Sequence, residues 1–180
     1  MRSTARLAGH PVHPMLIPYP FALLSVSTMF DVLDSRTRGA YGRTAGHLLD
    51  AGLLAGAAAA VPGLIDYVGT VPRGTSASRQ ATWHAAINGS ALLAFLLARR
   101  ERGRDGATSR SGLALSLLGT ALLGAGGWLG GELVYHHHIG VDEDAGARRR
   151  EREATLLTPV AGGRGRGHLQ QVPPALASER

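Results

Sequence analysis

Four stretches of the chain, residues 15–33, 48–71, 81–98 and 112–135, are nearly unbroken runs of apolar positions, with polar residues crowded between them. Each has about the 17–25 residues that a helix needs to cross a hydrocarbon layer. A helix of a water-soluble bundle would carry a polar stripe with charges every few residues. LLAGAAAAVPGLI (53–65) and LALSLLGTALLGAGGWLGG (113–131) carry no charge on any face. The pattern predicts an all-α integral membrane protein, an antiparallel four-helix bundle. Gly52 and Gly56 in the second run, and Gly119, Gly124, Gly126, Gly127, Gly130 and Gly131 in the fourth, would let helix backbones approach closely in lipid.

The polar intervals set the boundaries. Arg36, Arg38 and Arg43 follow the first run, Arg73 and Arg79 the second, and Arg99, Arg100, Arg102, Arg104 and Arg110 the third. Residues 1–14 form an N-terminal segment ending in HPVHP, 15–141 the four-helix domain, and 142–180 a tail. The tail, with VDEDAGARRRERE and GGRGRG, has too little apolar surface to order itself and is predicted disordered. Arg2 and Arg6 could serve as the basic region of a signal peptide. Pro11, Pro14, Pro18 and Pro20 interrupt the apolar stretch and no small-residue cleavage site follows, so retention is expected.

Composition removes several classes. With no cysteine, disulfides, thiolate ligands and thiol nucleophiles are excluded. The net charge of +6 comes entirely from arginine, since lysine is absent, which also rules out a phosphate-binding P-loop. Three Phe, four Tyr and two Trp offer no stacking surface for single strands, so nucleic acid is not an expected partner; membrane lipid is. Up to Arg152, eight arginines fall on each side of the predicted membrane, a balance that favours neither orientation.

The histidines are not evenly spread. In an antiparallel bundle the starts of the first and third helices share a face with the ends of the second and fourth. That face collects His10, His13, Asp66, His84, Asn88, Glu132, His136, His137 and His138, and so holds six of the eight histidines. Proline restrains itself and the residue before it, so HPVHP is expected to be extended, near polyproline II, with His10 and His13 on one side. His84 and Asn88 are one helical turn apart, as are Glu132 and His136. Asp66, Asn88 and Glu132 are placed to orient ligating imidazoles. His137 and His138 suit the headgroup level, and His47 on the opposite face a structural role. Asp31 and Asp34 mark the exit of the first helix, where nearby arginines can pair with them.

Several of these stretches belong together. GHPVHPMLIPYPFALL at 9–24, GLIDY at 63–67, the HxxxN of His84 and Asn88, and GWLGGELVYHHHIGVD at 127–142 resemble the bacterial membrane family numbered 2231 among domains of unknown function. The resemblance covers about residues 9–142. It implies a four-helix protein of the bacterial cell membrane, in a family some of whose members are joined to Rieske iron–sulfur or c-type cytochrome domains. Many members have histidine where Pro18 stands here, and the closing motif usually has one histidine where this chain has His136, His137 and His138.

These readings point to a redox-linked multi-pass membrane subunit rather than a stand-alone enzyme. It would bind haem b through axial ligands drawn from His10, His13, His84 and His136, with the glycines of the fourth run making room for it. Zinc or copper on the same histidines is the alternative, with Met15 as a further soft ligand. A redox partner of Rieske or cytochrome type and self-association are both compatible. The competing reading has no cofactor: a transport element, an assembly partner, or a tether whose arginine-rich tail recruits anionic lipid.

Overall fold

The structure, a computed structural model, describes residues 2–37, 39–103, 106–140 and 153. The chain divides into units at residues 1–142 and 143–180. The fold described is that of the first; apart from Glu153, the tail expected to be disordered lies outside the described residues. The first unit runs β1 (Arg6–Leu7), β2 (His10–Pro11), α1 (Val12–Leu16), α2 (Pro18–Arg36), α3 (Gly42–Gly69), α4 (Ser76–Arg100) and α5 (Arg110–Tyr135).

Helix starts follow local chemistry. Thr75 and Ser109 cap α4 and α5, their hydroxyls accepting from the amides of Ser78 (3.2 Å) and Gly112 (2.9 Å). Prolines stand in the first turns of α1 (Pro14) and α2 (Pro18, Pro20), where helix N–H groups have no intrahelical acceptor. For this reason HPVHP is not extended throughout, as the sequence suggested. His10–Pro11 is extended, but Val12 already begins a helix, and Ile17 N donates to His13 O across the α1–α2 joint at 3.2 Å.

Helices α2 to α5 are each long and apolar enough to cross a membrane, the first span running Val12–Arg36 with α1 included. They form two tight hairpins, α2 with α3 and α4 with α5, which meet along a sparser seam. The interior is built of small residues with a few large ones set between them: Leu24, Leu49, Ala91, Phe95 and Leu123 form its centre. Glycines make this possible. A Cβ on Gly52 would come within 2.6 Å of Leu24, one on Gly56 within 2.6 Å of Leu92, and one on Gly119 within 2.7 Å of Phe95. Large aliphatics such as Leu54, Val61, Leu64 and Leu93 face outward. Small inside and large outside inverts the order of a water-soluble core, and it suits a bundle whose surroundings are lipid.

Candidate functional site

The strap before α1 is fastened to α3. The Asp66 carboxylate accepts from Thr4 N at 2.7 Å, Ala5 N at 2.9 Å and Ser3 Oγ at 2.8 Å. Val12 N then donates to Ala5 O at 2.9 Å, closing the short β1–β2 turn. This delivers His13, the second residue of α1, onto α3. Its Nδ1–H donates to Ala59 O at 2.8 Å. Pro62, inside α3, has no N–H for the carbonyl of Ala58 four residues back and crowds the turn that contains Ala59. Neighbouring side chains re-satisfy such carbonyls inside membranes. Gly63 supplies the space, since a Cβ there would stand 2.8 Å from the imidazole.

His84 is placed by the same device on the other hairpin. Its Nδ1 is 2.9 Å from Gly126 O on α5, and a Cβ on Gly130 would come within 2.9 Å of its ring. Asn88, one turn along, donates to His84 O at 2.8 Å and fills the niche at Gly126. The glycines expected to make room for a haem thus receive Phe95, Asn88 and His84 from α4.

The two imidazoles meet across the seam between hairpins, ring centres 6.4 Å apart and planes at 88°. Both are half-buried. With Nδ1–H donating to a backbone carbonyl, each ring carries its lone pair on Nε2, the tautomer that metal-ligating histidines adopt. The exposed rings of Tyr19, Trp83, Trp128 and Tyr135 surround this end of the bundle, as aromatic residues do at headgroup level. The pair therefore lies toward the end of the bundle that carries these rings.

The remaining expected ligands stand apart from the pair. His10 is exposed and turns its Nδ1 to Ala8 O at 3.1 Å. His136 caps α5, exposed, with Glu132 Oε2 3.3 Å from its Nε2. His137, expected to be merely interfacial, is docked to Gln80 Oε1 at 3.0 Å. His47 is exposed at the other end. Among the described residues, no group of three or more His, Asp or Glu side chains could hold a metal ion. Of the three expected orienting residues, only Asn88 touches a histidine of the pair. Asp66 serves the strap, and Glu132 serves His136.

The opposite end holds a cluster that sequence reasoning only half found. Asp31, fully buried in α2, accepts from Arg102 Nη2 at 2.5 Å, Thr108 Oγ1 at 2.6 Å and Ser116 Oγ at 2.8 Å. Asp34 takes Tyr41 N at 2.9 Å, and Thr28 and Thr120 pair at 2.8 Å one turn inward. The aspartates were legible and nearby arginines were expected as partners, but the arginine that pairs with Asp31 lies 71 residues on, and no local spacing announces it. Ala59, Gly63, Gly126 and Gly130 were missed as site residues. The signals were VPG at 61–63 and the glycine spacing of 126–131.

Fold and site define a multi-pass helical membrane protein carrying an inter-hairpin histidine pair toward one end of the bundle. A family model described as "Predicted membrane protein (DUF2231)" matches residues 9–143. The chain belongs to that family. No curated protein and no solved structure matches it.

Proposed function

We propose that the protein is a redox-linked membrane subunit that holds haem b through His13 and His84, with a copper or zinc ion as the alternative occupant. The observation that carries this reading is the pair itself: two imidazoles from separate hairpins, each with Nδ1 tied to a backbone carbonyl and Nε2 left as the donor atom. The two rings approach edge to face, centres 6.4 Å apart, so both would stand beside a group held between the hairpins.

The donor set also separates the candidates. A structural zinc site uses four protein ligands and a catalytic one three, and the described residues offer no such group. A haem needs only two, because its own ring supplies four nitrogens. Bound there, it would supply one-electron transfer at the membrane surface. The chain's part is to fix both ring orientations through Ala59 and Gly126 and to keep carboxylates away from the pair.

The test is the absorption spectrum of protein purified in detergent from haem-replete cells. A sharp Soret band and a reduced α-band in dithionite difference spectra are expected, both lost on His84→Ala. If the spectrum is blank and metal analysis finds neither copper nor zinc, the pair serves only to hold helices together. The cofactor-free reading, a transport or assembly element, then replaces this one.

A further inference from the structure

The N-terminal strap reads as a mounting for His13. Ala59, Gly63, Asp66 and Thr70 are spaced to lie on one face of α3, and each meets the strap in turn. Ala59 O takes the imidazole, the open Cα of Gly63 takes its ring, Asp66 takes the strap's amides and Ser3, and Thr70 Oγ1 lies 3.0 Å from Thr4 Oγ1. Gly69 continues the track, since a Cβ there would stand 2.7 Å from Thr4 Oγ1. Between Ala5 and Val12 the chain is closed on itself by the Val12 N to Ala5 O bond and the β1–β2 pairing. The position of His13 is therefore tied through a short, internally bonded loop to the point where residues 3–5 are fastened.

That point is Asp66. Its Oδ1 accepts two successive backbone amides, Thr4 and Ala5, and Ser3 Oγ lies 2.8 Å from both carboxylate oxygens. Hydrogen bonds to a charged acceptor are about twice as strong as neutral ones. Three donors from consecutive residues on one carboxylate make a single firm anchor.

We propose that Asp66 is a positioning residue for His13, acting through the main chain of the strap and not through the imidazole. The proposal rests on the reading of His13 as a ligand, but its central test does not need a bound cofactor. In full-length protein labelled with ¹⁵N-histidine, the tautomer signals of His13 and His84 are assigned by their loss in His13→Ala and His84→Ala. Asp66→Ala should abolish the Nδ1–H signature of His13 and leave that of His84 in place. Asp66→Asn keeps an Oδ1 acceptor for the two amides and should restore it. If the His13 signature survives Asp66→Ala unchanged, the proposal is overturned. Should Asp66→Ala disturb His84 as well, Ser3→Ala decides, because it removes a strap donor without touching α3. A weakened His13 signature alone supports the proposal, and no change overturns it. In haem-loaded protein Asp66→Ala should lose the six-coordinate spectrum as His13→Ala does, and a retained spectrum overturns the proposal. If the wild-type protein takes up no haem, the haem reading falls alone, and the histidine signals still decide the role of Asp66.

Discussion

The two ends of the bundle use polar groups in opposite ways. At one end Asp31 and Arg102, with Thr108 and Ser116, form a buried cluster in which the carboxylate is fully matched by protein donors. At the other, His13 and His84 each use one ring nitrogen to fix an orientation and leave the second without a partner among the described residues. Both clusters span the seam between the α2–α3 and α4–α5 hairpins. A carboxylate whose oxygens are matched by protein donors holds the hairpins together, whereas imidazoles that present unused lone pairs can also receive something. The contrast lies in the acceptors, since the one group left over in the Asp31 cluster, among the described residues, is a donor, the buried Nε of Arg102.

The strongest way to break this comparison is at the Asp31 end. Arg102→Ala leaves Asp31 charged and buried with its best partner gone, and removing one member of a buried pair costs about 3–5 kcal/mol. Thermal unfolding in detergent should show that loss, and adding Asp31→Asn should recover part of it. Wild-type stability in Arg102→Ala would mean that the pair does not bolt the hairpins.

The next largest effect belongs to the glycine niches of the histidine end. A Cβ on Gly63 or Gly130 would stand 2.8 or 2.9 Å from an imidazole. Gly130→Val must therefore drive His84 from its carbonyl or move α5, and overpacking of this kind costs about 1–3 kcal/mol. Histidine NMR should show the loss of the His84 hydrogen bond in Gly130→Val and of the His13 bond in Gly63→Val. Gly124→Val, where added atoms meet open space, is the control.

Legibility in the sequence divided along physical lines. Helix number, type and approximate ends were readable because the signal is local: charge-free runs set off by arginines and prolines. Antiparallel order then placed His13 and His84 at one end with no structure in hand. The misreadings involve contacts that no local pattern encodes. HPVHP looked extended because proline disfavours helix before it, yet a first helical turn tolerates proline, so α1 starts at Val12. That turned His10 away from His13. Glu132 and Asp66 had the right residue type for second-sphere partners, but their acceptors were already committed to His136 and to the strap. The glycines of α5 were read as room for a ligand; the interior of a tight bundle uses most of that room for its own side chains.

Helix-to-helix hydrogen bonds inside membranes average about 0.6 kcal/mol. His84→Ala removes one such bond and should shift the unfolding midpoint only slightly. The same substitution should abolish haem or metal uptake. A large stability loss with unchanged uptake would reverse the contrast between the two ends, making the histidines the bolt.

The smallest expected effects test where the histidine site stops. His47 is exposed at the far end and, among the described residues, makes no hydrogen bond or ion pair. His10 is exposed at the near end and bonds only the carbonyl of Ala8, two residues back in its own turn. Surface substitutions of this kind usually stay within about 0.5 kcal/mol, so His47→Ala and His10→Ala should both melt like the wild-type protein. Their value lies in the spectrum. His47→Ala must leave it untouched, because no movement of the bundle short of unfolding brings that ring to the seam. His10→Ala should also leave it untouched if His13 and His84 are the whole donor set. If instead the Soret band weakens in His10→Ala while His47→Ala is unchanged, the strap contributes a second imidazole. The site would then be a three-histidine one suited to copper or zinc, and the haem reading would give way to the metal reading.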